Sequence, residues 1–430
     1  MLFYFYMNKI LTSFVLVSFL VFPIAGFAHE GEEHVDSTAS AVVGTVLAQD
    51  EFDLQEDLPD PGLTPDSPFY FTDQWFETVR TLFTFGDTAK ARRFVALADE
   101  RLAEMRIMVE REKISEAEGL SDHYTDLMEK IRLRVEKVKD SESTQERVAN
   151  AMGIHQVVLE RVLQQVPDEA KDRIHAALER AQDRYFTTLA RLAESNDARA
   201  GEIGAAVAKK RITEFKLLTD EGVLSDGQAA EIIENIKVHE EFTDGLQELH
   251  MEFKTKFAER FTEALPALIE LEDIEEGDFS SVTRQNINRE MKQLIEKQKE
   301  HIRDVSEEET EDATAVFEGA LEHLSERLER DGQLTEKVRN RLLNRLEEFD
   351  ELGDDIEDKL GQNVEARGAA LDRIREARER NLEVLRRVET QVPKEAKDSV
   401  GSVIERRQET FIDFEERFPE MKERVRNNTD

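Results

Sequence analysis

The sequence predicts an all-α protein of elongated antiparallel helical hairpins or bundles with coiled-coil-like seams, partly duplicated. Composition is the first observation. Charged residues make up 36% of the chain, against roughly 25% in an average globular domain, and hydrophobic residues reach only 39%. Such a composition is typical of long, solvated helices with narrow apolar seams rather than of a β protein. We expect about nine to twelve helices, several of about 20 residues or longer.

The second observation is the spacing of apolar residues, which recur every three or four positions, as on one face of an α-helix. One such ladder consists of Phe94, Leu97, Ala98, Leu102, Met105 and Val109. Another consists of Leu127, Ile131, Val135 and Val138. They predict one helix within 91–112 and a second helix after Ser121.

The third observation is a recurring boundary pattern, in which a Gly suited to a left-handed C-cap precedes an apolar residue and a Ser or Thr N-cap. The pattern occurs at Glu118-Gly119-Leu120-Ser121-Asp122, Glu221-Gly222-Val223-Leu224-Ser225-Asp226 and Asp331-Gly332-Gln333-Leu334-Thr335-Glu336. Capping boxes are expected at Ser143 with Glu146, Ser225 with Gln228 and Ser306 with Glu309. Short connections of this kind place neighbouring helices antiparallel.

An internal repeat joins residues 158–172 to residues 384–398, since most positions are identical at a constant offset. In both copies a proline, Pro167 or Pro393, stands between two helical patterns. Leu265-Pro266 would be a degenerate middle copy. We therefore divide the folded part into helical modules at 58–195, 196–280 and 281–430, the last a partial repeat of 143–195.

Residues 58–71 read Leu-Pro-Asp-Pro-Gly-Leu-Thr-Pro-Asp-Ser-Pro-Phe-Tyr-Phe and hold four of the nine prolines. Proline bars helix in the residue before it, so this run must be extended or turned. Ser67-Pro68 then predicts the N-cap and first turn of a helix. That helix carries one apolar stripe, formed by Trp75, Phe76, Val79, Leu82 and Phe83. The stripe is interpreted as bundle core, with a groove for client peptides as the alternative.

This proline motif, followed by an aromatic helix and an Ala/Glu/Arg-rich helix at Ala91–Glu112, resembles an uncharacterised family of secreted or membrane-anchored prokaryotic proteins. The family is known only as a domain of unknown function. The resemblance covers residues 58–140 and at most 58–195. It implies an exported helical protein and brings no catalytic residues.

Residues 1–28 are predicted to be a secretory signal peptide, with Lys9 as the only charge and small residues before the cleavage site at Ala28. An uncleaved membrane anchor is the alternative, although the apolar run 10–25 is shorter than the about 20 residues of a membrane span. Residues 29–57 follow as a flexible acidic spacer. We therefore predict an exported protein, periplasmic or extracellular, or tethered to the cytoplasmic membrane by its N-terminal segment.

The formal charge of the chain is −37. Such a surface repels nucleic-acid phosphates and anionic lipid. It favours basic partners and loosely held divalent cations. We expect proteins of the cell envelope as partners, no nucleic acid, and membrane contact only through an uncleaved signal segment. No Cys occurs, which excludes disulfides and thiolate metal sites.

Patterns for catalysis or metal binding are weak. None of the nine histidines follows a Glu at the spacing of di-iron bundles. Asp172 and His175 show the spacing alone, which a solvated helix face explains better. His29 and His34, beside Glu30, Glu32 and Glu33, could bind a transition metal or belong to a disordered tail. We predict no catalytic residues, no cofactor-binding residues, no metal ligands and no cofactor.

Three acidic clusters, at 270–278, 307–312 and 350–358, are dense in the oxygen ligands that Ca²⁺ prefers. None has the ligand spacing of an EF-hand loop. Diffuse association with cations is the preferred interpretation, and specific Ca²⁺ binding is the alternative.

A second aromatic stripe consists of Phe242, Leu246, Leu249, Phe253, Phe257, Phe261 and Leu265. It is interpreted as bundle core, with a client groove as the alternative. The sequence as a whole predicts a non-enzymatic exported cell-envelope protein that acts as a helical scaffold or protein-interaction module. A helical chaperone and a weak divalent-cation-binding protein are the alternatives, and a hydrolase built from unrecognised carboxylates stays open.

Overall fold

The computed structural model describes residues 58–138, 142–272, 274, 279–308, 310–330, 334–359 and 364–427. All of them belong to one compact unit of the chain, residues 52–430. The predicted signal peptide and the predicted acidic spacer lie outside the described residues. The all-α fold class is confirmed, because the described residues form helices, turns and loops and contain no β-strand.

The helices follow one another with short connections. They are α1 (Tyr70–Leu82), α2 (Asp87–Glu110), α3 (Ile114–Val135), α4 (Glu142–Gln165), α5 (Asp168–Ser195), α6 (Asp197–Asp220), α7 (Asp226–Leu249), α8 (Met251–Phe261), α9 (Leu265–Leu271), α10 (Ser281–Glu308), α11 (Thr310–Arg330), α12 (Glu336–Lys359), α13 (Val364–Gln391) and α14 (Lys394–Asn427). The described residues hold more helices than predicted. One reason is that a 3₁₀ turn at Thr262–Ala264 separates two short helices, α8 and α9.

Beyond α1, the helices pack as two layers of antiparallel hairpins. In one layer α2, α4, α6, α8, α11 and α13 each contact the next member. In the other layer α3, α5, α7, α10, α12 and α14 do the same. A single apolar core runs between the layers from Leu58 to Phe414. The prediction of stacked antiparallel hairpins is confirmed, while the coiled-coil character of the seams stays a prediction.

Polar contacts between successive helices of one layer give the length of the repeating unit. Tyr185 in α5 bonds His239 in α7, 54 residues further on. Lys297 in α10 bonds Asp244 in α7 across 53 residues. The structural repeat is therefore a helical hairpin of this length, and the internal repetition is confirmed. The proposed module boundaries fall at helix ends near 195 and 280, and the modules themselves stay a prediction.

The two copies of the sequence repeat occupy equivalent corners, between α4 and α5 and between α13 and α14. In each corner the proline carbonyl accepts the amide of the Ala three residues later, Ala170 at 3.0 Å and Ala396 at 2.9 Å. The Val before each proline is buried. Leu265-Pro266 does not form such a corner, because Pro266 lies within α9, which the 3₁₀ turn Thr262–Ala264 joins directly to α8.

The predicted helix boundaries are only partly correct. Gly222 has φ 64° and ends α6, and Ser225 with Gln228 forms the expected capping box of α7. Gly119, in contrast, lies inside α3, and the turn before α3 is made at Glu112 with φ 58°. Ser143 and Ser306 also lie inside helices, in α4 and α10, so neither residue is an N-cap. Gly332 and Glu309 lie outside the described residues.

Candidate functional site

Helix α1 is held on the protein by a buried polar cluster. The Tyr70 hydroxyl donates to Oε2 of Glu104 at 2.7 Å and accepts from Nη1 of Arg101 at 2.6 Å. The same Arg101 guanidinium pairs with Glu104, its neighbour on α2, and with Glu77 of α1. Arg101 and Glu104 are almost fully buried. One cation therefore joins two carboxylates and a phenol across the contact between α1 and α2.

Burial governs the electrostatics of this cluster. Burial raises the pKa of Glu104 to about 7, although the Arg101 charge and the Tyr70 hydroxyl act against that rise. Burial and the bond to Glu104 also raise the pKa of Tyr70, so the phenol stays protonated. Because a buried carboxylate without its cation is costly, α1 depends on Arg101 for its position.

The proline segment before α1 is attached by a second ionic contact. The carboxylate of Asp66 pairs with Lys113 at 2.8 Å and with Arg111 at 3.0 Å, at the turn between α2 and α3. The bond to Lys113 is the main reason that the pKa of Asp66 lies well below its usual range. The helix begins at Tyr70, slightly later than Ser67-Pro68 predicted, with Ser67 Oγ accepting the amide of Phe69 at 3.3 Å.

The apolar side of α1 faces outward, contrary to the prediction that it packs into the core. Its side chains are between 62% and 79% exposed. We call this surface, on α1 and the residues flanking it, the aromatic face; its members are Phe69, Phe71, Trp75, Phe76, Leu82, Phe83 and Phe85. Val79 of the predicted stripe is partly buried.

The outward orientation follows from which side of α1 carries the anchoring groups. Tyr70 and Glu77 are seven residues apart, two helical turns, and so share one side of the helix. Phe71 and Trp75 lie on the other side, with Trp75 packed edge-on against Phe76 at 5.2 Å between ring centroids. Sequence periodicity revealed the stripe, but the buried partner Arg101 is what turns it outward.

Of the two histidine-containing groups weighed as metal ligands, the structure describes Asp172 with His175 only, and these two residues do not form a site. Asp172 is exposed, and the partly buried His175 lies 3.5 Å from Glu231. His29 and His34 lie outside the described residues. Among residues that the structure describes, no group of three or more His, Asp or Glu is placed to hold a metal ion.

Described members of two acidic clusters are paired with arginine or lysine from neighbouring helices. Glu270 pairs with Arg327 and Lys216. In the cluster 350–358, Asp350 is buried between Arg378 and Arg407. Lysine and arginine side chains of the chain thus neutralise the charge of carboxylates that could otherwise bind Ca²⁺. Calcium binding by these clusters stays a prediction, and the cluster 307–312 lies largely outside the described side chains.

The second aromatic stripe is mostly core, as predicted. Phe253, Phe257, Phe261, Leu246 and Leu265 are buried. Leu249 is exposed, because the helix breaks at His250 between α7 and α8. This stripe therefore offers no open groove for a client peptide.

A small, partly open cavity of about 30 Å³ lies where α6, α7, α8 and α10 meet. Two histidines that sequence reasoning did not single out, His239 and His301, line it. The carboxylates in its wall are occupied by Lys297, which lies 2.5 Å from Glu240 and 2.8 Å from Asp244. The cavity has room for about one or two water molecules rather than for a substrate.

These two histidines predict a loss of stability in mild acid. Burial lowers the pKa of His301 to about 4, and burial beside Arg211 lowers that of His239 well below its usual range. The unfolded chain takes up protons below pH about 6.5 that the folded chain does not. Each histidine should therefore cost about 1.4 kcal/mol per pH unit as the pH falls from about 6.5 toward its folded pKa.

Urea unfolding at several pH values between neutral and about pH 5 tests this prediction. A His239→Gln variant should lose stability less steeply in acid than the natural chain. The matched control is His123→Gln, at an exposed position, which should keep the natural slope. Equal slopes for all three proteins would show that buried histidines do not govern the acid response.

The fold defines an all-α protein of stacked helical hairpins, partly duplicated in sequence. A protein family described as "Domain of unknown function (DUF5667)" matches residues 62–169, which include α1 and its anchoring cluster. This match is consistent with the resemblance to an uncharacterised family. No helix in the described part of the chain is both long and apolar enough to cross a membrane.

Among curated proteins, no sequence matches this chain. A solved structure described as "Circular tandem repeat protein with novel repeat topology and enhanced subunit contact surfaces" is similar to it at 16% sequence identity. The match covers 80% of this chain and 74% of that one, with a TM-score of 0.48.

Proposed function

We propose that this protein is an exported, non-enzymatic scaffold or interaction protein of the cell envelope, which binds its partner through the aromatic face of α1. The orientation of α1 carries the proposal. An isolated amphipathic helix on a protein surface normally turns its apolar side inward. Here the inward side is polar, and its buried contacts are those of Tyr70, Glu77 and Arg101.

The size of the aromatic face supports a binding role. Seven large apolar side chains, each about two-thirds exposed, present roughly 900 Å² of apolar surface. The largest apolar patch on a typical monomer is about 300–600 Å². A surface of this size on one helix is favourable only when something covers it.

Two further observations support the remainder of the proposal. Residues 1–28 have the pattern of a secretory signal, which favours export. Several ionisable residues with shifted pKa values in the described part, among them Arg101, Glu104 and Glu160, are paired in structural ion pairs. They do not converge on an open pocket, which favours binding over catalysis.

Photo-crosslinking from two exposed apolar positions tests the proposal. A crosslinker replaces Phe76 in α1 or, as the control, Val282 at the start of α10, which is equally exposed. Adducts are expected from the first position only. Crosslinking carried out at high ionic strength should give as many adducts, because apolar contacts are not screened, whereas contacts of the acidic surface with basic partners or Ca²⁺ weaken.

The same samples test export, because mass spectrometry of the N-terminus should find a chain that begins at His29. Equal crosslinking from both positions would contradict a role for α1. Turnover of a defined substrate by the pure protein, with no partner retained in any condition, would contradict the binding function as a whole.

A chaperone function is the second candidate, and the exposed side chains of α1 favour it. They could hold apolar segments of unfolded proteins, as a client groove would. In that case the natural chain should suppress aggregation of an unrelated unfolded protein, and Phe76→Ser should suppress it less. A chain that binds only one native partner should show no such protection.

A further inference from the structure

We propose that the partner of α1 is the surface of a phospholipid bilayer, into whose interfacial region the aromatic face inserts. This inference rests on the proposed function and identifies the partner of that surface. It adds a membrane contact beyond the predicted N-terminal segment.

The composition of the aromatic face suits a bilayer interface. It consists of one tryptophan, five phenylalanines and one leucine. Tryptophan is preferred at the level of the lipid headgroups, and phenylalanine and leucine are typical of the apolar side of helices that lie in the interface. A helix lying in the interface places such residues on one side and polar residues on the other. In α1 the polar side is already engaged with the protein, so only the aromatic face remains available.

The dimensions of α1 allow it to lie on a bilayer but not to cross it. Its 13 residues make a helix of roughly 20 Å, shorter than the about 30 Å of the hydrocarbon core. The helix therefore has the length of an interfacial element, parallel to the membrane plane.

The local charge also distinguishes this region from the remainder of the chain. From Phe69 to Phe85 the chain, whose net charge is −37, carries only two acidic residues and one basic residue, and one of the acidic residues, Glu77, is paired with Arg101. This is therefore a stretch that lipid headgroups would not repel. It is not strongly basic, so we expect binding to zwitterionic lipid without a need for anionic lipid.

The position of α1 along the chain points the same way. It is the first described helix, and under the alternative in which residues 1–28 are not cleaved, the apolar segment 10–25 would hold this end of the chain at the membrane. The aromatic face thus belongs to the end of the described chain closest in sequence to that segment. A second copy of the chain is the main competing occupant, since the exposed area would suffice for a dimer. Two copies of the chain, each with a net charge of −37, would repel each other as they approach.

The only tryptophan of the chain, Trp75, is a direct reporter of the aromatic face. The purified chain is mixed with vesicles of phosphatidylcholine, and with vesicles that also contain phosphatidylglycerol. We expect the Trp75 emission to shift to shorter wavelength with both, and the chain to float with the vesicles. Because emission reads α1 alone, flotation through the apolar segment 10–25 cannot imitate the result.

A variant that keeps the reporter separates insertion from adsorption. The double change Phe71→Ser and Phe76→Ser should weaken binding to vesicles. The lipid concentration that gives half of the full emission shift should rise about tenfold or more. The double change Leu82→Ser and Phe85→Ser tests the other end of the same face, should the first variant fold poorly. Val282→Ser, which removes an equally exposed apolar side chain elsewhere, should leave the shift unchanged.

Three results would overturn the inference. The first is an emission that vesicles of either composition do not move. The second is a shift of the Trp75 emission that occurs without lipid, grows with protein concentration and accompanies dimer formation. This result would show that a second copy of the chain covers the aromatic face. The third is protein adducts from Phe76 combined with no response to vesicles, which would reject the bilayer and leave the proposed binding function intact.

Discussion

The substitution Gly201→Ala is expected to destabilise the protein by about 3 kcal/mol, at the upper end of the cost of overpacking. Gly201 lies in α6 where α8 crosses it. A Cβ there would stand 3.0 Å from the Cα of Phe253 and closer still to its carbonyl oxygen. Backbone cannot rotate away as a flexible side chain can. The two helices would have to separate, and the buried ring of Phe253 would lose its packing.

The matched control is Gly119→Ala. Gly119 lies inside α3, and a Cβ there would meet no atom within 4 Å. Replacing a helical glycine by alanine without a clash should stabilise the protein by about 0.5–1 kcal/mol. Urea unfolding followed by circular dichroism measures both variants. If both substitutions shift the midpoint in the same direction, the close approach of α6 and α8 is not as described.

The second large effect is expected at Arg211, whose side chain is almost fully buried in α6. Its guanidinium donates to Glu160 at 2.9 Å, to Gln156 at 2.8 Å and to the carbonyl of Asn235 at 3.0 Å. Arg211→Met leaves the Glu160 carboxylate in the core without a cation, which typically costs about 3–5 kcal/mol. Burial already raises the pKa of Glu160, so lower pH should reduce this cost by protonating the carboxyl group.

A double variant separates the lost pair from the lost packing. Adding Glu160→Gln to Arg211→Met should recover most of the stability, because no unpaired charge then remains in the core. Arg132→Met removes an arginine that pairs with Glu129 and Glu136 on the exposed side of α3. That change should leave the unfolding midpoint nearly unchanged. If Arg132→Met and Arg211→Met lower the unfolding midpoint equally, the large effect at Arg211 does not come from its buried pair with Glu160.

The helical class and the repeated corner could be predicted from the sequence because both depend on local rules. Proline favours the start of a helix because its φ angle is already close to the helical value. In both corners a buried valine, Val166 or Val392, directly precedes the proline. The length of the repeating helical hairpin was not predicted. Apart from the two repeated segments, the hairpins resemble each other in how their helices pack rather than in sequence. Each of the modules predicted at 58–195, 196–280 and 281–430 is longer than one such hairpin.

The orientation of α1 could not be predicted, because an amphipathic pattern shows which side will be covered but not by what. The deciding residue, Arg101, lies on another helix, and its partners Tyr70 and Glu77 look like ordinary residues beside the apolar stripe. The Gly119 prediction failed for a related reason. A glycine ends a helix only when the chain must turn there, and the turn was already made at Glu112.

The order of helix contacts has a mechanical consequence. Each helix packs substantially only against helices no more than three places away in the chain. In the described part of the chain, a pulling force along the stack would therefore meet no substantial packing between the first helices and the last ones. The hairpins would yield one after another, and each would release its own length of chain while its neighbours stay folded. We therefore expect such a molecule to extend in steps under load and to shorten again when the load is removed.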